Sequence, residues 1–366
     1  TGSWTLRLAA EAASRAARAA LDRISAELAR RGGRLEEGGA GDAILVTGEI
    51  LPGTPESFLI EKTTSGPRRI RVCGADTRGV GYGLFELAGQ LLCAPEEGDL
   101  YDALAPCRRA PQIAARSVNV FLHNRQLEEE WLFSREHWER YFGLLAESRF
   151  NMFTLCYGHQ TSYLSPPFPF LVATPGYAHV RTPGYSDEDR RRHLDALRMI
   201  SALAAEWGLT FVLGLWQQHA HTYGRNYVEG LTYEDLFDYC PRALGVLLAE
   251  CPGIRGAQFR LNSESGIQED HQTRFYGAMF KAMRDAGRDF WLDLRAKGLR
   301  AETIAAAEAL GLRVNVSTKF WTEHMALPHF SSRTHPADAN QYRRYGYWDL
   351  LRKDRRYGMV YQLWTV

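Results

Sequence analysis

The sequence predicts an α/β protein in which an incomplete (β/α)8 barrel follows a small α+β domain. Three observations lead to this fold class. β-like and helix-like runs alternate from Arg116 onward, the preceding residues show a different order of elements, and polar residues recur at alternate positions of the later β-like runs. A chain of 366 residues is long enough for both parts. We therefore expect an α+β domain over residues 1–112 and a barrel over residues 113–366.

The N-terminal domain begins with "LAAEAASRAARAALDRISAELARR", which has the apolar spacing of an amphipathic helix. Three β-like runs follow: "AILVTG", "ESFLIEKT" and "RRIRVCG". In "DTRGVGYGLFELAGQLL", Asp76 is placed to cap a helix whose apolar face includes Val80, Leu84, Leu87 and Leu91. The glycines of "GADTRGVGYG" match neither nucleotide-binding motif, so we attribute them to close packing of this helix on a sheet.

The second part contains seven β-like runs separated by helix-like or loop segments: "RSVNVFL", "NMFTLCY", "TFVLGLW", "GAQFRL", "FWLDLR", "RVNVSTK" and "GMVYQLW". Regular alternation of this kind predicts parallel strands, most simply in a barrel. An eighth unit is missing, so we expect the chain to be a fragment of a longer protein, truncated after about the seventh strand.

Alternation within these strands predicts which side chains face the barrel interior, because successive residues of a strand point to opposite faces. The outer face must be apolar to pack on helices. The residues expected inside or at the rim are Ser117, Asn119, His123, Gln258, Arg260, Asn262, Glu264, Asp293, Arg295, Asn315, Ser317 and Lys319. They gather toward the C-terminal strand ends, where the active sites of barrel enzymes lie.

Three carboxylates are candidate catalytic residues. Glu264 follows the fourth strand in "FRLNSESGI", and Asp293 and Glu323 belong to the fifth and sixth strand units. Glycosidic hydrolysis needs two carboxylates across a cleft, one as general acid and one as base or nucleophile. The alternative is structural: Glu264 caps the following helix, and Asp293 forms a buried ion pair with Arg260 or Arg295.

Three cations, Arg260, Arg295 and Lys319, are expected at inward positions of consecutive strands. One interpretation is that they bind an anionic group of a substrate, such as a uronate carboxylate. The other is that they form a structural network with Asp293 and the neighbouring glutamates.

Aromatic, amide and imidazole side chains follow several strands, notably in "WQQHAHTYG" and "FWTEHMALPHF". Such groups suit sugar rings, which stack on aromatic faces and need hydrogen bonds to their hydroxyls. The predicted substrate-binding residues are His123, Tyr157, His159, Trp216, Gln217, His219, Arg260, Asn262, Arg295, Lys319, Trp321, Gln362 and Trp364. His219 and His221 also form an H-x-H pair, which leaves a metal-dependent hydrolase as an alternative.

Composition excludes several classes of partner. The chain has 44 basic and 43 acidic side chains, a formal net charge of +1, and no basic stretch typical of nucleic-acid binding. No apolar segment approaches the ~20 residues that span a bilayer and no signal sequence is visible, so we expect a soluble protein without a membrane partner. Six cysteines lack metal-binding or redox spacing, and no cofactor is predicted. Cellular location and oligomeric state stay open.

The run "IRVCGADTRGVGYGLFELAGQLL", followed by "ARSVNVFLHN", resembles the domain order of the α-glucuronidase family of glycoside hydrolases and, more distantly, of the β-N-acetylhexosaminidases. This resemblance implies a small α+β domain before a (β/α)8 catalytic barrel, with Glu264 as the strand-four acid. The hexosaminidases have an adjacent Asp-Glu pair at this point. Here "NSES" provides Glu264 without a preceding Asp, so acetamido-assisted catalysis is not expected.

Together, these features predict a glycoside hydrolase that acts on an acidic, uronate-containing glycan by carboxylate acid/base catalysis. A non-catalytic glycan-binding protein on the same fold is one alternative. A metal-dependent hydrolase using His219 and His221 is the other.

Overall fold

The computed structural model of the chain describes residues 3–38, 44–63, 65–122, 125–157, 168–218, 221–222, 225–226, 228–296, 298–318 and 358–361. The chain divides into two compact units. Unit 1 comprises Thr1–Arg116, Glu139–Asn151 and Glu206–Leu209. Unit 2 comprises Ser117–Trp138, Met152–Ala205 and Thr210–Val366.

Unit 1 contains a six-stranded mixed sheet and helices. Its elements are β1 (Ser3–Leu8), α1 (Arg15–Arg30), β2 (Arg34–Glu37), β3 (Ile44–Ile50), β4 (Phe58–Lys62), β5 (Arg69–Gly74), α2 (Thr77–Cys93), α3 (Leu100–Ala103) and β6 (Cys107–Arg109). The strand order is β2-β1-β3-β5-β4-β6. β1, β2, β3 and β5 are parallel to their neighbours in this group, whereas β4 is antiparallel to β5 and β6.

The helix α2 begins as its sequence predicts. The Asp76 side chain accepts a hydrogen bond of 2.8 Å from the Gly79 backbone N–H, which satisfies one of the free donors of the first turn. A Cβ atom on Gly74 would lie 2.2 Å from the Val80 nitrogen, so only glycine permits this approach of strand and helix. The glycines of this segment therefore serve close packing.

The core of unit 1 lies on one face of the sheet, against α1 and α2. Leu6, Val46, Ile70 and Val72 of the sheet are buried there with helix residues such as Leu84. Burial of one sheet face against two helices gives this small unit its own apolar core.

Unit 2 alternates strands and helices. Its elements, with α5 extending into unit 1, are β7 (Ser117–Leu122), α4 (Arg125–Leu132), α5 (Arg135–Glu147), β8 (Met152–Tyr157), α6 (Asp187–Glu206), β9 (Thr210–Leu215), β10 (His221–Thr222), β11 (Arg225–Asn226), α7 (Leu236–Glu250), β12 (Ile254–Phe259), α8 (Gln272–Asp285), β13 (Trp291–Arg295), α9 (Ala301–Glu308), β14 (Val314–Thr318) and β15 (Gly358–Tyr361). Short 3-10 helices span Phe168–Leu171, Ser263–Ser265 and Glu269–His271.

The main sheet of unit 2 has seven parallel strands in chain order, β7-β8-β9-β12-β13-β14-β15. This order never reverses, unlike that of a doubly wound sheet. Since parallel crossovers are right-handed, a sequential order keeps the helices on one face of the sheet. Unit 2 therefore has an α/β fold. In the described part of the chain β7 and β15 are the edges and no pairing closes the sheet, so the predicted barrel is not confirmed.

Strand register explains how polar side chains line up across this sheet. Cys156, Gly214, Gln258, Asp293 and Asn315 are successive partners on five neighbouring strands. Partners in parallel strands point to the same face, so these residues form one row. Among them Gln258, Asn315 and Asp293 are each only 2% exposed.

All six cysteines are free thiols. Within the described residues, no helix combines the length and apolar character needed to cross a membrane.

Candidate active site

The chain directly after β12 places three polar residues, Arg260, Asn262 and Glu264, at the C-terminal edge of the sheet. Arg260 and Asn262 are each 6% exposed, and a 3-10 turn over Ser263–Ser265 follows. Gly266 ends this turn at a φ of 87°, a left-handed conformation that glycine adopts without strain. The turn leaves the Glu264 side chain 28% exposed, while Ser265 is buried.

Arg260 and Glu264 form an ion pair, with 2.7 Å between Nη2 and Oε2. The Arg260 carbonyl accepts a hydrogen bond from the hydroxyl of Tyr276 on α8, which holds the strand end in place. One of the three predicted cations is therefore already paired with a carboxylate, a contact that the structural interpretation of the cations requires.

Trp216, directly after β9, lies where two arginines meet. The guanidinium carbon of Arg295 is 4.1 Å from the centre of the Trp216 ring, and that of Arg260 is 5.1 Å away. The Phe121 ring centre is 4.7 Å from that of Trp216. Since Trp216 is fully buried, it supports the arginine head groups through cation–π contacts and does not offer a free face to a sugar.

A hydrogen-bonded chain beneath the arginines joins Trp216 to Asp293. The indole N–H of Trp216 donates to Gln258 Oε1 at 2.8 Å, and Gln258 Nε2 donates to Asp293 Oδ2 at 2.7 Å. The Ser317 hydroxyl donates to the same carboxylate oxygen. Four strand units thus fix the orientation of one aromatic ring and one carboxyl group.

Burial raises the pKa of the Asp293 carboxyl to about 6, although hydrogen bonds from Ser317 and Gln258 and the charge of Arg295 act in the opposite direction. Its other oxygen, Oδ1, is buried and has no hydrogen-bond partner among the described residues. Asp293 is thus a carboxyl group whose protonation changes near neutral pH inside the site.

Two loops above the strand ends are tied together by Gln272, the first residue of α8. Its amide nitrogen donates to the Leu261 carbonyl at 3.0 Å and to the Gly298 carbonyl at 2.7 Å. Its oxygen accepts from the Thr303 hydroxyl at 2.8 Å. Gln272 is fully buried, so these bonds are shielded from water.

Gly298, at a φ of 78°, brings the second of these loops against Asn262. A Cβ atom here would lie 2.8 Å from the Asn262 Cα atom. Gln272 and Gly298 were not predicted as site residues. The only local signal is the glycine that closes "RAKG" after the strand.

The structure places Tyr157 apart from this group. Its register partner on β9 is Leu215, whose own partner is Phe259, so Tyr157 belongs to the row that alternates with the polar one. Its ring centre lies 6.1 Å from that of His193 on α6, and burial raises its pKa well above the ordinary value. Tyr157 therefore packs toward the helices.

The remaining predicted residues divide into two sets. Gln217, directly after Trp216, is 1% exposed. Eight lie outside the described residues: His123, His159, His219, Lys319, Trp321, Glu323, Gln362 and Trp364. For His221 only the backbone is described. The described part of the chain holds no group of three or more His, Cys, Asp or Glu residues that could bind a metal ion.

No family model and no curated protein matches the chain. It is similar in structure to a GH138 enzyme targeting pectin rhamnogalacturonan II, with a TM-score of 0.68 and 17% identity over 87% of this chain and 48% of that chain.

Two hexosaminidases, one of them a GH20 enzyme, are also similar. For the β-N-acetylhexosaminidase from Streptomyces coelicolor A3(2) the TM-score is 0.54, with 16% identity over 86% of this chain and 70% of that chain. For the Streptomyces plicatus N-acetyl-β-hexosaminidase these values are 0.53, 16%, 87% and 71%. The chain shares the fold of these enzymes. It spans about half the length of the GH138 enzyme. These likenesses support the predicted glycoside hydrolase fold and do not support the narrower assignment to the α-glucuronidases.

Proposed function

We propose that this protein is a glycoside hydrolase acting on an acidic glycan by carboxylate acid/base catalysis, without a cofactor. The observation that carries the proposal is the meeting of Arg260 and Arg295 on Trp216, beside the carboxyl groups of Glu264 and Asp293. Arg260, Glu264 and Arg295 lie at the C-terminal ends of the adjacent parallel strand units of β12 and β13, and Asp293 is the middle residue of β13. Ligands of open and closed α/β sheets bind at this edge.

The arginines would select the substrate. An arginine fork binds a carboxylate through two parallel hydrogen bonds, which a lysine cannot do. Arg295 is held over Trp216 and needs little reordering to receive an anionic group, so its binding entropy cost is small. Arg260 would contribute from its ion pair with Glu264. Lys319, on the next strand unit, would complete a cationic wall.

The carboxylates would perform the chemistry. Glu264 is more accessible than Asp293 and lies in the turn that follows the strand end. It would transfer the proton to the leaving oxygen once the substrate carboxylate has replaced it on Arg260. The second carboxylate would be Asp293 or Glu323. A pKa of about 6 suits Asp293 to proton transfer near neutral pH. Its burial also suits it to orient Trp216 through Gln258.

The similar GH138 enzyme targets pectin rhamnogalacturonan II. This is consistent with a uronate substrate for the present chain, and an α-glucuronidase-like specificity is one form of the proposal. We also propose that the sequential sheet belongs to an incomplete barrel, because its polar face would then be enclosed as the lumen.

Steady-state kinetics of Glu264→Gln on aryl uronides tests the catalytic role. We expect kcat to fall by roughly 10²- to 10⁴-fold, the usual contribution of general acid catalysis, with ligand affinity retained. Glu269→Gln, at an exposed acid in the following 3-10 helix, is the matched control and should keep full activity. Full activity of Glu264→Gln would end the proposed role. Tight glycan binding by a wild type without turnover would favour the binding-protein alternative.

Arg295→Met tests substrate selection, measured on a uronide and on the neutral glycoside of the same sugar. We expect kcat/KM for the uronide alone to fall. An equal loss on both substrates would assign Arg295 to structure.

A further inference from the structure

Unit 1 has a second arginine-rich surface, on the face of its sheet opposite α1 and α2. Strand register places Arg7, Thr47, Arg71 and Glu61 in one row across β1, β3, β5 and β4. The residues on either side of Thr47 along β3, Val46 and Gly48, are buried toward the helices, whereas this row is not part of the apolar core. The helix-free face is therefore polar and cationic.

This face forms a cleft of about 970 Å³, which includes Glu49 and Arg69 besides the residues of the row. Small-molecule sites commonly measure about 300 to 1,000 Å³, so the cleft is large enough for a short oligosaccharide. Lys62 and Thr63 also contribute to its wall.

Two cations of the cleft wall are already engaged within the protein. Arg71 donates to Glu49 at 2.8 Å and to Glu61 at 3.4 Å. The Lys62 ammonium donates to backbone carbonyls, including that of Tyr101 at 2.6 Å. These contacts leave Arg71 and Lys62 little capacity for a ligand.

Arg7 and Arg69 differ from these two residues. Both are exposed, and neither has an acidic partner among the described residues. The Thr47 hydroxyl between their strands is buried and lacks a hydrogen-bond partner in the same part of the chain. The cleft thus has two available guanidinium groups and one unsatisfied hydroxyl.

The spacing of the arginines favours a ligand with more than one negative group. Arg7 lies on β1 and Arg69 on β5, with β3 between them, so their strands are roughly 10 Å apart. The carboxylates of Glu49 and Glu61 lie in the same cleft and would accept hydrogen bonds from hydroxyl groups. They would repel a densely charged polyphosphate. A chain of uronate sugars carries both separated carboxylates and hydroxyls, and it matches this arrangement.

We propose that this cleft of unit 1 binds a uronate oligosaccharide through Arg7 and Arg69. The choice of a uronate glycan rests on the proposed function, whereas the existence of the anion-binding cleft rests on unit 1 alone. The cleft would retain a polymeric acidic substrate on the protein independently of the catalytic site.

Isothermal titration calorimetry with a galacturonate pentamer tests the proposal. The background is Arg295→Met, which removes the proposed carboxylate contact of the catalytic site. We expect binding to persist in this background and to weaken at least about tenfold when Arg7→Gln and Arg69→Gln are added, because charge-assisted hydrogen bonds to carboxylates are lost. Arg18→Gln with Arg109→Gln, which removes the same charge elsewhere on unit 1, should bind as its parent does.

Other outcomes of these measurements would contradict the proposal. Unchanged affinity of the Arg7→Gln/Arg69→Gln protein overturns the proposal, as does equal binding of a neutral galactose pentamer. With Arg295 intact, the Arg7→Gln/Arg69→Gln protein should hydrolyse a small aryl uronide at the wild-type rate. If no uronide is hydrolysed by the wild type but the arginine-dependent binding is present, the cleft stands and the proposed hydrolase activity fails. If the wild type hydrolyses uronides but the arginine-dependent binding is absent, the hydrolase activity stands and the proposed binding by the cleft fails.

Discussion

Replacing Asp293 with asparagine should stabilise the protein at high pH and have little effect at low pH. Asparagine keeps an oxygen that can accept the hydrogen bonds from Gln258 and Ser317, but it cannot ionise. The substitution therefore isolates the cost of holding a charge at this position.

The magnitude follows from the pKa of Asp293. Burial raises this pKa from 3.8 to about 6. A shift of about two units corresponds to about 3 kcal/mol, since each unit is worth about 1.4 kcal/mol. Because the folded-state pKa is the higher one, the protonated carboxyl contributes its stability fully below pH 3.8. That contribution is lost as the pH rises through about 6.

Urea unfolding at intervals from pH 3.5 to 8 measures the effect. We expect the difference in unfolding free energy between Asp293→Asn and wild type to shift in favour of the variant by about 3 kcal/mol across this range, mostly between pH 3.8 and 6. Asp289→Asn, at an exposed position before the same strand, should show no comparable change. A difference that does not vary with pH would refute the reasoning. A difference that increasingly favours the wild type at high pH would show that Arg295 outweighs burial.

Three further substitutions test contacts that hold the fold and the site. Glu56→Ala should destabilise unit 1 by about 3 to 5 kcal/mol at pH 7, because Glu56 accepts buried bonds from Arg116, Arg78 and Asn151. Burial acts to raise the pKa of Glu56, but these bonds outweigh it and hold the pKa below 4.5, so the loss should shrink as the pH falls through the folded-state value. Gln272→Leu should lower stability in urea unfolding by about 3 kcal/mol, because it removes the hydrogen-bond donor to the carbonyl groups of Leu261 and Gly298. Gly298→Ala should lower the melting temperature and catalytic rate together, through a positive φ and a clash with the site loop.

Each of these has a matched control in the chain. Glu97→Ala and Gln268→Leu change exposed residues and should leave unfolding nearly unchanged. Gly287→Ala has a φ of 68° with open space around its Cβ position, so it measures the conformational cost without a clash. If Gly298→Ala costs no more than Gly287→Ala, the close contact with the loop is unimportant.

Many of the predictions made from the sequence depended only on patterns that extend over a few residues. Successive residues of a strand point to opposite faces, so a shared polar face for Gln258, Asp293 and Ser317 followed from the run of residues alone. The Asp76 cap followed in the same way from its position before an apolar helix. Helix capping and strand alternation act over a few residues, and the local sequence therefore contains the information.

Tertiary structure decided how separate strand ends combine. The ion pair of Arg260 with Glu264 belongs to the structural interpretation that the sequence left open beside substrate binding, and its formation depends on the conformation of the turn. The position of Tyr157 against His193 depended on where β8 ends, and sequence patterns locate strand ends poorly.

The sheet of unit 1 shows most clearly what local sequence patterns cannot predict. Its order, β2-β1-β3-β5-β4-β6, brings Arg7 and Arg69 to one cleft although 61 residues lie between them in the chain. Hydrogen bonds between strands can form between any two extended segments, so local sequence patterns do not specify which strands become neighbours. That choice depends on how the whole unit buries its apolar face against α1 and α2. The sequence by itself determined the elements and the side of each strand that is polar, and only the folded unit determined which polar residues share a surface.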